Sequence, residues 1–213
     1  MTKDFLADLL DSPVGARVLR LFIFNREECF TINDITKRAK ASKPAAQIEL
    51  RILEKSGLIK KKKCLREVGA GKQKNQKTKK KWESGWSANE NSPHLEATAV
   101  FLRSISPTSH DDLAKKLRGV SGMRLLVTAG VLCGDSERRV DLLVVGDKIN
   151  ERQLRGALGA LEADLGHEVR YAAFPSDEFQ YRLDVYDKLI RDVFDYPHRI
   201  IVDRIDIEMA LGR

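Results

Sequence analysis

Cysteine and aromatic residues are scarce in this chain of 213 residues. Aromatics make up 7%, and the three cysteines, Cys29, Cys64 and Cys133, are far apart with no CxxC pair. That spacing argues against a zinc site and a disulfide scaffold, and it fits a reducing, cytoplasmic compartment. His94, His110, His167 and His198 show no ligand spacing, so neither metal nor cofactor is expected. No apolar run approaches the ~18–20 residues that span a bilayer, so no membrane partner is expected. The opening Met1-Thr2-Lys3-Asp4-Phe5 lacks a charged head followed by an apolar stretch, and no secretory signal is expected from it. What is present, 42% hydrophobic and 32% charged residues, is a globular composition. At this length two small domains are the expectation.

Charge is unevenly placed. The net formal charge is +7, yet residues 1–90 hold 21 Lys/Arg against 11 Asp/Glu, and the remainder is slightly acidic. Between Lys60 and Lys81 eleven cations face Glu67 alone. Such a block repels itself and needs either free solvation or an anionic partner. As a solvated loop it would be unremarked, but its neighbours supply a reason for the charge.

Ser12-Pro13 reads as a helix start, with Val14, Val18, Leu21 and Phe22 on one face. Thr31 precedes a second short helix, and a third runs from about Lys43 to Ser56 with Gly57 as its left-handed stop. Ala46, Leu50 and Leu53 form its inner stripe, which turns Lys43, Gln47 and Arg51 outward. Ile48 and Ile52 form an i, i+4 pair that fits thymine methyls, a dimer partner or the core, and periodicity does not choose. Leu58-Ile59 opens an extended segment. Residues 64–68 and 80–83 read as strands around the flexible Gly69-Ala70-Gly71, with Trp82 and Trp86 as anchors of the hairpin base.

Two short helices, a tight connection and a third helix ending in "EKSGLI" resemble a winged helix-turn-helix, as does the opening "SPVGARVLRLF". The resemblance covers residues 1–90, with an extended Lys-rich wing at 60–82. It implies binding to double-stranded DNA. Gln47 can pair with adenine, and Arg51 with guanine or phosphate. Ser42 and Lys43 stand at the helix start, where free N–H groups suit a phosphate. Lys60, Lys61, Lys62, Lys63, Arg66, Lys72, Lys74, Lys77, Lys79, Lys80 and Lys81 would lie along the backbone or a minor groove. Charge alone does not tell RNA from DNA, so RNA stays open.

Residues 91–213 alternate. Asn91-Ser92-Pro93-His94-Leu95 leads into a helix, and a further helix is expected at about 111–117. Strands are expected at 123–128, 139–145, 168–174 and 199–203, and helices at 150–165 and 176–194, the last capped by Ser176. The stretch "LLVTAGVLCGDSERRVDLLVVGD" resembles the minimal nucleotidyltransferase signature, and the expected fold is a small mixed sheet with flanking helices. The whole chain is thus expected to be α/β (α+β). In that family two carboxylates one residue apart, and a third on a later strand, hold Mg²⁺ against a triphosphate. Here the three positions read Arg139, Asp141 and Arg170, and Ala129-Gly130 stands where the family has Gly-Ser. Arginine does not ligate Mg²⁺, so catalytic residues are not expected and Asp141 becomes an internal ion-pair partner. Asp135 and Asp147 lack the same-face spacing to substitute.

The combined expectation is a DNA-binding transcriptional regulator whose degenerate transferase-like domain is a sensor or assembly module. A homodimer on paired half-sites, and a nucleotide or protein ligand at the C-terminal domain, go with it. The alternative is a nucleotidyltransferase or antitoxin-like protein acting on a protein or RNA.

Overall fold

The computed structural model describes residues 4–68, 79–105, 113, 115–117, 119–135 and 137–207. It is a mixed α and β fold with two sheets. The chain divides into two compact units, Met1–Pro107 with Glu162–His167, and Thr108–Leu161 with Glu168–Arg213. Among the described residues no helix is long and apolar enough to cross a membrane.

In the first unit α1 (Phe5–Leu9) precedes α2 (Pro13–Phe24). The Ser12 hydroxyl caps α2 by accepting the Gly15 N–H at 2.9 Å, and Val18, Leu21 and Phe22 are buried as their spacing requires. The same helix buries Arg20, which is 1% exposed. Its guanidinium donates twice to Asp4, at 2.6 and 2.7 Å, while Asp4 also accepts the Leu6 N–H and so caps α1. A charge this deep needs such a bidentate partner.

Strand β1 (Phe30–Thr31) leads directly into α3 (Ile32–Arg38), opened by a capping box between Thr31 and Asp34. Helix α4 (Lys43–Lys55) follows, and Gly57 takes φ +74° behind it. Strands β2 (Ile59–Val68) and β3 (Lys79–Ala88) pair antiparallel from Ile59↔Ala88 to Val68↔Lys79. Both are longer than their residue patterns suggest. β1 pairs with β3, giving the order β1-β3-β2, and α5 (Leu95–Ser104) completes the unit. One apolar cluster joins α1 to α5, with Phe22, Phe30, Ile35, Leu50, Ile59 and Leu102 among its buried members.

Cys29 and Cys64 form a disulfide, with Cα atoms 5.5 Å apart. This corrects the reading of the cysteine spacing as arguing against a disulfide. Their separation of 35 in sequence said nothing of proximity, which arises because β1 and β2 flank the same strand. Gly85 on β3 lies beneath, and a Cβ there would collide with Cys64 Sγ and the Phe30 carbonyl.

The second unit holds β4 (Met123–Thr128), a 3₁₀ turn (Gly130–Cys133), β5 (Leu142–Gly146), β6 (Tyr171–Phe174) and β7 (Arg199–Asp203). The sheet order is β6-β5-β4-β7, with β5 and β6 parallel and the other pairs antiparallel. All five residues of β5 are buried, so neither face of that strand is wet. Leu143 and Val145 pack with Phe179, Val193 and Phe194. Helix α6 (Glu151–Leu165) buries Leu154, Leu158 and Leu161 at helical spacing.

The single helix expected at 176–194 is two, α7 (Ser176–Asp184) and α8 (Lys188–Phe194). Tyr186 sits at φ +55°, and the Asp187 carboxylate accepts the N–H groups of Leu189 and Ile190. Here a side chain outcompetes the backbone and restarts the helix. Ser176 makes no side-chain cap, and its N–H donates instead to Asp147 at 3.2 Å.

Candidate functional site

Two features of the first unit gather the residues singled out for charge. On α4, Ala46, Leu50 and Leu53 are buried, while Lys43, Gln47 and Arg51 are exposed on the opposite stripe. Ser42 spends its hydroxyl on the helix start, accepting the Ala45 N–H at 3.4 Å. Ile48 and Ile52 are 57% and 56% exposed, which removes the core from their three candidate roles.

The β2–β3 hairpin carries the cations on both strands. Lys60, Lys61, Lys62, Lys63, Lys80 and Lys81 are exposed, and Lys79 opens β3. Lys72, Lys74 and Lys77 lie outside the described residues. Some of the cations have acidic partners. Lys61 Nζ is 3.5 Å from Glu54 of α4, and Lys81 Nζ is 3.4 Å from Glu83. Arg66 is bonded to Asp34 and reaches the Cys29 carbonyl at 3.5 Å. Arg66 therefore ties the hairpin to the start of α3, and an anion would have to compete for it.

In the second unit Gly130, Asp141 and Arg170 come together. Asp141, 1% exposed, precedes β5. It accepts Arg170 Nε at 3.0 Å and Arg170 Nη2 at 2.9 Å. It also accepts the N–H of Arg170 at 2.9 Å and of Val131 at 3.0 Å. Burial opposes its ionisation, but the Arg170 side chain, these two N–H groups and the Arg170 charge outweigh it and hold the carboxyl below the usual aspartate value. The bond to Asp141 raises Arg170 in turn, against some desolvation. Gly130 at φ +52° lies against the Asp141 carboxylate, where a Cβ would collide. Arg139 is not part of this cluster. It is exposed, and its N–H donates to Asp192 at 3.4 Å.

No family model matches this chain, and no curated protein or solved structure matches it either. The chemistry must therefore be read from the residues. With every Asp141 oxygen committed to a donor, the carboxylate is built to hold the Val131 turn and the Arg170 segment together. Among the described residues no three His, Cys, Asp or Glu side chains group as a metal cage.

Three features escaped the residue pattern. Trp82 was expected to anchor the hairpin base, yet it is 62% exposed; Trp86 alone packs on the core. Arg138 stacks 3.7 Å over the Tyr196 ring and pairs with Asp135 at 2.9 Å and Asp192 at 3.3 Å. A cleft of about 370 Å³ opens beside β6, lined by Lys148, Arg155, Tyr171 and Phe174 among others. Alternation along β3 does not find the first, because it puts Trp82 on the same face as the core-packed Trp86. The other two join residues far apart in sequence.

Proposed function

We propose that this chain is a winged helix-turn-helix transcriptional regulator that binds double-stranded DNA. The observation that carries the reading is a cationic hairpin, with lysines exposed on both strands, beside a helix whose outer stripe is Lys43, Gln47 and Arg51. Polyanion attraction supplies affinity along such a hairpin, and a helix with amide and guanidinium groups outward can read base edges. In this reading the hairpin is the wing and α4 the recognition helix. The protein works as a homodimer on paired half-sites.

The second unit is proposed as a degenerate nucleotidyltransferase-like domain without enzymatic activity, acting as a sensor or assembly module for a nucleotide or protein. Support comes from Arg170, which fills the place where a third metal-binding carboxylate is expected and consumes the remaining one, Asp141. Selection of bound duplexes from a random pool at two ionic strengths tests the reading. A shared motif that persists at the higher salt is the expected result. Recovery of unrelated sequences at low salt, and none at high salt, would reduce the protein to a charge-driven binder.

A further inference from the structure

On the β2–β3 hairpin, residues directly opposite share a face. One face carries Lys60, Lys62, Cys64 and Arg66 against Ser87, Gly85, Glu83 and Lys81. This face is tied down. Cys64 is bonded to Cys29, Arg66 to Asp34, and Ser87 is 3% exposed. The other face begins buried, at Ile59 and Ala88, and continues through Lys61 opposite the core-packed Trp86. It then leaves the core. Lys63 stands opposite Ser84, and Leu65 opposite Trp82. Leu65 is 46% exposed and Trp82 62%. Lys80 follows on the same face by alternation, opposite Glu67, and it is exposed. Lys61 reaches Glu54, so this open face is continuous with the last turn of α4.

An indole and a leucine held outward in mid-strand, bracketed by Lys63 and Lys80, are not a solubility device. An apolar pair of this size favours burial, and its surroundings decide against what. Lysines on either side repel a second copy of the same face and attract a polyanion. Phosphates with flat bases between them match cations with a flat ring between them. Apolar side chains of this kind enter a minor groove and part a base step while neighbouring cations hold the backbone.

We propose that Trp82, backed by Leu65, is a wedge that stacks on a base step of duplex DNA from the minor groove, with Lys63 and Lys80 on the flanking phosphates. The proposal rests on the DNA-binding reading and deepens it. It gives the hairpin a role in bending or opening the duplex in addition to charge neutralisation.

Trp82 and Trp86 are the two tryptophans of the chain, so intrinsic fluorescence reports on the wedge directly. The full-length protein is titrated with duplexes recovered by selection, and binding is followed independently by anisotropy of an end label. The wild type is expected to quench on binding. Trp82→Phe, which leaves Trp86, is expected to bind within a few-fold and not to quench. Trp82→Ala is expected to bind about tenfold more weakly or worse, with an unchanged salt slope, because stacking and not charge is lost. Circular dichroism of the variants checks that the fold is intact. Binding without quenching, or Trp82→Ala binding as tightly as wild type, overturns the wedge and leaves the DNA-binding reading standing. Binding to no duplex overturns both. Equal quenching by single-stranded RNA, or by anionic phosphatidylserine vesicles with none by duplex, assigns the wedge to another partner and overturns it as stated.

Discussion

Three lysines of the hairpin, Lys60, Lys62 and Lys63, are exposed, stand opposite Ser87, Gly85 and Ser84, and have no acidic partner among the described residues. They are the cations most available to phosphate, since Lys61, Lys81 and Arg66 each already have a carboxylate within reach. Each phosphate neutralised on duplex DNA contributes about 0.9 to the slope of log K against log salt. Replacing all three by alanine should therefore lower the slope by about 2.7. Between 50 and 200 mM salt the wild type should lose about 40-fold more affinity than the triple variant. The assay is anisotropy of one labelled duplex across that range, with a second duplex of scrambled sequence. Both should lose affinity alike, because backbone contacts carry no base information. Thermal unfolding is the control, since surface lysines away from special contacts shift stability by about 0.5 kcal/mol or less each. An unchanged slope in a folded variant would refute the assignment of the hairpin to phosphate.

Gln47→Ala and Arg51→Ala should each cost about 1–3 kcal/mol on the selected sequence and relax preference at separate positions; an unchanged motif places base reading elsewhere. Asp141→Ala should destabilise the protein by about 2–3 kcal/mol in urea unfolding, because it leaves the Val131 and Arg170 N–H groups without their acceptor, while the half-exposed Arg170 guanidinium regains water. The Asp141 carboxyl is held below its unfolded value, so its contribution is complete above about pH 4 and disappears as pH falls through the native value. Asp141→Asn should accordingly lose stability at neutral pH and show a shallower acid limb than wild type, which titration of the unfolding midpoint checks. Cys29→Ser should cost about 3 kcal/mol, and a reducing agent should lower the wild-type midpoint while leaving the variant's in place. Gly85→Ala should cost about 1–3 kcal/mol in the same assay, because the added methyl meets Cys64 Sγ and the Phe30 carbonyl.

Local chemistry made much of the fold readable. Ser12, Thr31 and Ser42 start helices because each offers an oxygen where backbone donors lack partners. The inner stripe of α4 and the unbroken apolar run of β5 are equally direct. What escaped depends on residues distant in sequence. The Cys29–Cys64 bond needs the strand order, and the burial of Arg20 needs Asp4 brought to it. The two halves of the expected 176–194 helix are separated by Asp187, whose competition with the backbone leaves no mark on hydrophobic spacing. At the candidate site the outward stripe of α4 was legible from period alone. The exposure of Trp82 was not, because it shares a face with the core-packed Trp86, and only the length of the hairpin carries that face beyond the core.

The carboxylate of Asp34 has three obligations at once. It accepts the Thr31 N–H at 2.8 Å and the Thr31 hydroxyl at 2.6 Å, and it holds Arg66 of β2. Helix nucleus and hairpin thus share one carboxylate oxygen, beside the Cys29–Cys64 bond that joins the same two segments. A ligand that levers the hairpin aside must drag Asp34 along or pull it out of the first turn of α3. Amide hydrogen exchange in that turn would then accelerate. A load on the arm would reach that helix terminus through the Asp34 oxygen and the neighbouring disulfide together.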